Sequence, residues 1–127
     1  MGVGPAYAIP KVLEKTGLNK HDVDFFEINE AFASQAVYSV NKVGIPFEKV
    51  NINGGAIAIG HPLGCSAYFL FCLCTPCSSL TSSFFKAGAR QIATGLNIAK
   101  QTGGRVFVTS MCIGSGMGMA AVFVSEQ

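Results

Sequence analysis

Charge is scarce in this sequence. Of its 127 residues 13% are charged, nine basic and seven acidic, and the formal net charge is +2. The basic residues are scattered, with no run and no aromatic-basic stripe, so the electrostatic footprint of a nucleic-acid binder is missing and no nucleic-acid partner is expected. Long apolar runs are missing too. The stretch Ala67 to Cys74 is continuous for about eight residues where a membrane span needs roughly 20, so no membrane partner is expected either. The chain opens without a charged segment leading into an apolar one, and its five cysteines, at 65, 72, 74, 77 and 112, are an odd number. A secreted disulfide framework is therefore disfavoured. The last residues, Val124-Ser125-Glu126-Gln127, are not a Ser-Lys-Leu type of peroxisomal address, so any targeting signal is expected outside these residues. No internal repeat is visible.

What is present is apolar matter, 50% of the composition, in a length that suits one domain with a well-buried core. Gly4-Pro5 opens a helix expected to run to about Thr16, with Ala6, Ile9, Val12 and Leu13 near helical spacing, Pro10 disturbing its first turns and Gly17 as its C-terminal cap. Asn19 to Asp22 reads as a turn or a single helical turn. Val23 to Ile28, short and rich in β-formers, is a buried strand. Asn29 ends it and can cap a helix whose Phe32, Ala33, Ala36, Val37 and Val40 share one face, before Gly44 and Pro46 stop it. Lys49 to Ile52 is a second short strand. Ile92, Ala93, Leu96 and Ala99 mark a helix from roughly Gly88 to Gln101. Arg105 to Ser110 is a strand, followed by a glycine-rich turn over 111–118, and Met119 to Val124 can pair back antiparallel. Strands alternating with helices imply an α/β layered domain.

The stretch Asn51 to Ser66 carries one histidine among glycines 54, 55, 60 and 64. Those glycines let backbone approach a ligand, and Pro62 stiffens the loop that presents His61. A histidine in such a loop can equally be structural, and the loop alone leaves that open. Three polar groups stand where strands end: Asn29, His61 and Cys112. Ligand-handling residues collect at such ends in α/β sheets. A cysteine and a histidine brought together can act as a thiolate-imidazole pair, although a cysteine also simply fills core.

The blocks Asn29-Glu30-Ala31-Phe32-Ala33, Gly54-Gly55 with Gly60-His61-Pro62-Leu63-Gly64, and Cys112-Ile113-Gly114 with Gly116-Met117-Gly118 resemble, in this order, the three signature blocks of thiolase C-terminal halves. Cys65 after the histidine loop and Ser110-Met111-Cys112-Ile113-Gly114 are most similar to the peroxisomal 3-ketoacyl-CoA members. The resemblance covers about residues 1–66 and 88–127. It implies an α/β thiolase-fold C-terminal domain, a layered mixed sheet with helices, here N-terminally truncated. It further implies thiolytic cleavage of a 3-ketoacyl-CoA by coenzyme A, as in fatty acid β-oxidation, or the reverse condensation. Coenzyme A would be a co-substrate and no bound cofactor or metal is expected. The parent enzyme would be a peroxisomal homodimer.

By the same resemblance Cys112 is the acid/base, His61 donates to the thioester oxygen, Asn29 holds a water that donates beside it, and Gly114 offers its N–H to a second oxyanion hole. The nucleophilic cysteine and the histidine that activates it belong to the family's N-terminal half. Cysteines 65, 72, 74 and 77 match no nucleophile motif, so the 127 residues alone are expected to be inactive.

Two departures stand out. Met1-Gly2-Val3-Gly4-Pro5 resembles the interior of the family's C-terminal half, with a strand expected upstream. An atypical apolar insertion at 67–87 separates Ser66 from Gly88, detaching the His61 loop from the helix Ser66 would cap. The insertion's Phe, Leu, Ser, Cys and Pro content resembles a translated polypyrimidine tract from a retained intron. Alternatives are a non-catalytic truncated product, or a small metal or membrane module built on the Cys72, Cys74, Cys77 pattern.

Overall fold

The structure, a computed structural model, describes residues 2–61 and 86–126. Of the insertion expected at 67–87, residues 67–85 lie outside the described residues, as does the expected capping role of Ser66, while Lys86 and Ala87 belong to the helix expected from Gly88.

Helix α1 spans Gly4–Thr16, with Pro5 in its first turn, where a missing N–H is no loss. Gly17 closes it in the left-handed conformation at φ 71. Pro10 does not break it, and its ring lies in solvent. Strand β1, Phe25–Ile28, is shorter than the expected 23–28. Asp24 leaves the strand because its carboxylate accepts the N–H groups of Arg105 and Val106 at 2.7 and 2.9 Å. Helix α2 covers Ala33–Val43, a four-residue helix α3 covers Ala56–Ile59, and helix α4 covers Lys86–Thr102. Strands β2, Val106–Cys112, and β3, Gly118–Val124, complete the set.

The sheet is mixed, in the order β1-β2-β3, with β1 parallel to β2 and β3 antiparallel to β2. The antiparallel return expected for the last strand is present. Ser115 at φ 49, between Gly114 and Gly116, turns β2 back into β3. On one side of the sheet Ile9 and Leu13 of α1 and Val40 of α2 bury against Phe26, Ile28 and Val108. On the other, Ile98 and Ala99 of α4 bury against Phe25 and Phe107. Phe25, Phe107 and Phe123 stack in a row across the three strands, with centroids 5.1 and 5.2 Å apart. The start of α1 meets the start of β3 backbone to backbone: a Cβ on Gly4 or Gly118 would overlap the other chain segment.

Four expectations are corrected. Lys49 to Ile52 is not a strand. Phe47–Lys49 form a 3-10 turn, and a single parallel bridge, Phe26 to Val50, is what remains of the pairing. Asn29 does not cap α2: Phe32 stands at that position with no side-chain bond, because Asn29 is drawn inward. The buried face of α2 carries Gln35, Ser39 and Val40, while Phe32, Ala33 and Val37 are exposed. In α4 the buried positions are Gln91, Gly95, Ile98 and Ala99, one step round from the expected stripe, and Ala93 and Leu96 face out. Gly95 allows this rotation, since a Cβ there would overlap the Phe107 ring. Among the described residues no helix is long and apolar enough to cross a membrane.

Candidate active site at the end of β1

Strand β1 delivers Asn29. Its backbone N–H donates to the Ser110 carbonyl at 2.8 Å, continuing the parallel pairing one residue past the strand. Its side chain is buried, and Nδ2 lies 3.3 Å from His61 Nε2. With the imidazole proton on Nδ1 this is a hydrogen bond to the ring. With the proton on Nε2 both groups are donors, brought together where an oxygen carrying negative charge can accept from both.

His61 reaches this point on the segment that follows α3. Gly54 and Gly60, at φ 90 and 91, turn the chain on either side of the helix. Asn51, itself at φ 50, anchors the segment. Its backbone N–H donates to Phe26 O at 2.8 Å. Its Oδ1 accepts the Ile28 N–H at 2.8 Å, and its Nδ2 donates to Ile28 O at 2.9 Å. One side chain thus takes the place of a strand partner along the edge of β1 that no described strand pairs. Asn51 Nδ2 also donates to Glu30 Oε1 at 2.8 Å, and Glu30 Oε2 accepts the Ile57 N–H of α3 at 2.9 Å.

Cys112 ends β2, partly exposed and with a free thiol. It stands at the same end of the sheet as Asn29, one strand over, since Ile28 is in register with Ser110. Gly114 follows in the tight turn at φ 89, and Met117 N–H closes that turn on Gly114 O at 2.9 Å. All four expected site residues therefore gather at one end of the sheet, and Asn29 and His61 are in direct contact. Pro62, expected to stiffen the His61 loop, lies outside the described residues.

Behind them sits a buried polar cluster that sequence reasoning missed. Gln91 Nε2 donates to Glu27 O at 2.7 Å and to Ser110 O at 3.0 Å, tying α4 to β1 and β2 just below Asn29. The Glu27 carboxylate is fully buried, 3.9 Å from the Arg90 guanidinium. Burial pushes its pKa up from 4.5 to about 7; Arg90 lowers it and Glu30 raises it further. A glutamate amid the apolar residues of a strand was the available signal for this cluster. For the contact of Asn51 with Glu30 the sequence held no signal, since the two lie 21 residues apart.

The ends of the two parallel strands carry Asn29 and Cys112, and His61, expected at a third strand end, arrives instead after helix α3, on a mixed sheet covered by helices on both sides. Residues 1–75 match the family described as thiolase, C-terminal domain, and the chain belongs to that family. It is 57% identical over 124 residues to mouse 3-ketoacyl-CoA thiolase B, peroxisomal, covering 97% of this chain and 24% of that protein. The dimeric peroxisomal thiolase of Saccharomyces cerevisiae superimposes with a TM-score of 0.74 at 52% identity, over 98% of this chain and 26% of that one. Human mitochondrial 3-ketoacyl-CoA thiolase, solved in complex with CoA, gives 0.78 at 35% identity over 98% of this chain and 26% of that one. The chain spans about a quarter of the length of the relatives it matches.

Proposed function

We propose that these residues are one part of a 3-ketoacyl-CoA thiolase, a partial C-terminal domain interrupted at 67–87, acting on CoA thioesters by thiolytic cleavage or the reverse condensation. The observation that carries this reading is the 3.3 Å contact between Asn29 and His61 on a loop held open by glycines. His61 donates to the thioester oxygen, and Asn29 holds a water that donates beside it. Cys112 exchanges the proton with the α-carbon of the acyl product or the departing group. Gly114 offers its N–H to a second oxyanion. Coenzyme A is the co-substrate, the parent enzyme is a homodimer, and its compartment is the peroxisome. The family's nucleophilic cysteine is supplied by residues not among these 127, so the chain alone gives no turnover.

The test supplies the yeast relative's N-terminal region and deletes residues 67–87. Turnover of acetoacetyl-CoA with CoA is expected from that enzyme. His61→Ala should then lower kcat by about 10²–10³ with a much smaller change in KM, because the lost donor matters most as negative charge develops. A completed enzyme with undiminished kcat after His61→Ala would reject the assignment.

A further inference from the structure

His61 is placed by a helix that cannot hold itself. Helix α3 has four residues, fewer than the nucleus of a stable isolated helix requires, and Ile57, Ala58 and Ile59 on it are exposed. Something outside it must fix it against the sheet. The Glu30 carboxylate meets it at Ile57 N–H, a donor of the first turn that has no partner within the helix. Its other oxygen is held by Asn51 Nδ2. The polarity of the Asn51 amide is itself dictated, because Ile28 N–H must face its Oδ1 and Ile28 O must face its Nδ2. Glu30 must therefore accept at both oxygens, which a carboxylate does and an amide cannot. Gly55 completes the fit: its backbone is extended, yet any Cβ there would overlap the Glu30 carboxyl group.

We infer that Glu30 is a positioning residue, whose carboxylate clamps α3 to the end of β1 through Asn51 and Ile57 and thereby sets the separation of His61 from Asn29. The inference rests on the reading of Asn29 and His61 as paired donors, but the clamp is tested without turnover. In the 127-residue chain, the nuclear Overhauser cross-peak between the Asn29 side-chain amide protons and the His61 ring protons reports the pairing directly.

Glu30→Gln places an N–H against either Asn51 Nδ2 or Ile57 N–H, and the cross-peak should fall by about tenfold, as expected from losing a charge-assisted bond. Asn51→Asp alone should do the same, by opposing two carboxylates. In the double variant Glu30→Gln with Asn51→Asp the donor and acceptor are exchanged, and part of the cross-peak should return, the residual loss coming from the Asp oxygen facing Ile28 O. A purely structural role would move the melting temperature without this exchange rescue. Should Glu30→Gln not fold, Gly55→Ala, which leaves every hydrogen-bonding group in place and displaces only the carboxyl group, makes the same measurement. Its effect should vanish in a Glu30→Ala background. An unchanged cross-peak in folded Glu30→Gln, or a Gly55→Ala effect that persists without Glu30, overturns the clamp and leaves the proposed activity untouched. A lost cross-peak in Glu30→Gln, alongside full kcat for His61→Ala in the completed enzyme, would uphold the clamp and reject the catalytic reading.

Discussion

The two faces of strand β1 obey different rules. Phe26 and Ile28 point into an apolar layer with Ile9, Leu13 and Val40. Phe25, Glu27 and Asn29, on the opposite face, begin in a stack of aromatic rings and end among Gln91, Arg90 and His61. The first face holds the sheet together by removing area from water. The second gives up apolar contact residue by residue along the strand and replaces it with groups that need partners. Several of those partners are missing: both Glu27 oxygens, both terminal Arg90 nitrogens and Asn29 Oδ1 are buried without a hydrogen bond among the described residues.

The comparison can be broken at several points. Phe26→Ala should have the largest effect on stability, about 3–5 kcal/mol in chemical denaturation, since it empties the centre of the apolar layer. If the loss were no larger than at an exposed position, the apolar face would not be what holds the sheet. The pH dependence comes next. The unfolded Glu27 carboxyl ionises near 4.5 and the folded one near 7, so the folded state retains a proton through that window. Stability should fall as pH rises from about 4.5 to about 7, by on the order of 3 kcal/mol, and level off above. Glu27→Gln should flatten that slope, and a wild-type curve already flat between those pH values would show the carboxylate to be better paired than its surroundings imply. Gln91→Leu removes the donor to Glu27 O and Ser110 O and should cost about 1–3 kcal/mol. It should also loosen the end of the sheet, read as faster amide exchange at Asn29. Val37→Ser, on the exposed side of α2, should change stability by no more than about 0.5 kcal/mol.

Much of this was legible beforehand. The glycine cap at Gly17, the period of α1 and the glycine turn before β3 each follow from backbone rules that depend on nearby residues alone. The motif blocks named Asn29 and His61, and the structure joins them. The failures share a cause. Apolar period located α2 and α4, but it could not say which apolar residues meet this sheet and which remain exposed, as Phe32 and Val37 do. In α4 the Phe107 ring decided the rotation, and that ring lies on a strand outside the helix. In 49–52 Val50 and Ile52 are β-formers, yet Asn51 adopts a left-handed conformation and pairs through its amide instead, a substitution visible only once β1 is beside it. Glu30 drew attention as part of a motif without a role, because its partners are 21 and 27 residues away.

The parallel pairing of β1 with β2 has a consequence for the birth of the chain. Phe25 lies opposite Phe107, a separation of 82 residues, and among the described residues β1 has no other extended partner beyond the bridge at Val50. On a ribosome adding about 5–20 residues per second, β1 would wait roughly 4–16 s for its neighbour. Through that interval Phe25 and Phe26 would be uncovered by the strand that later shields them. Pairings so distant in sequence also form slowly once both strands exist, because a long loop must close before any contact repays it. The yield of folded protein should therefore depend on synthesis rate and temperature, with slower and cooler expression reducing the concentration at which unpaired β1 segments of different chains meet.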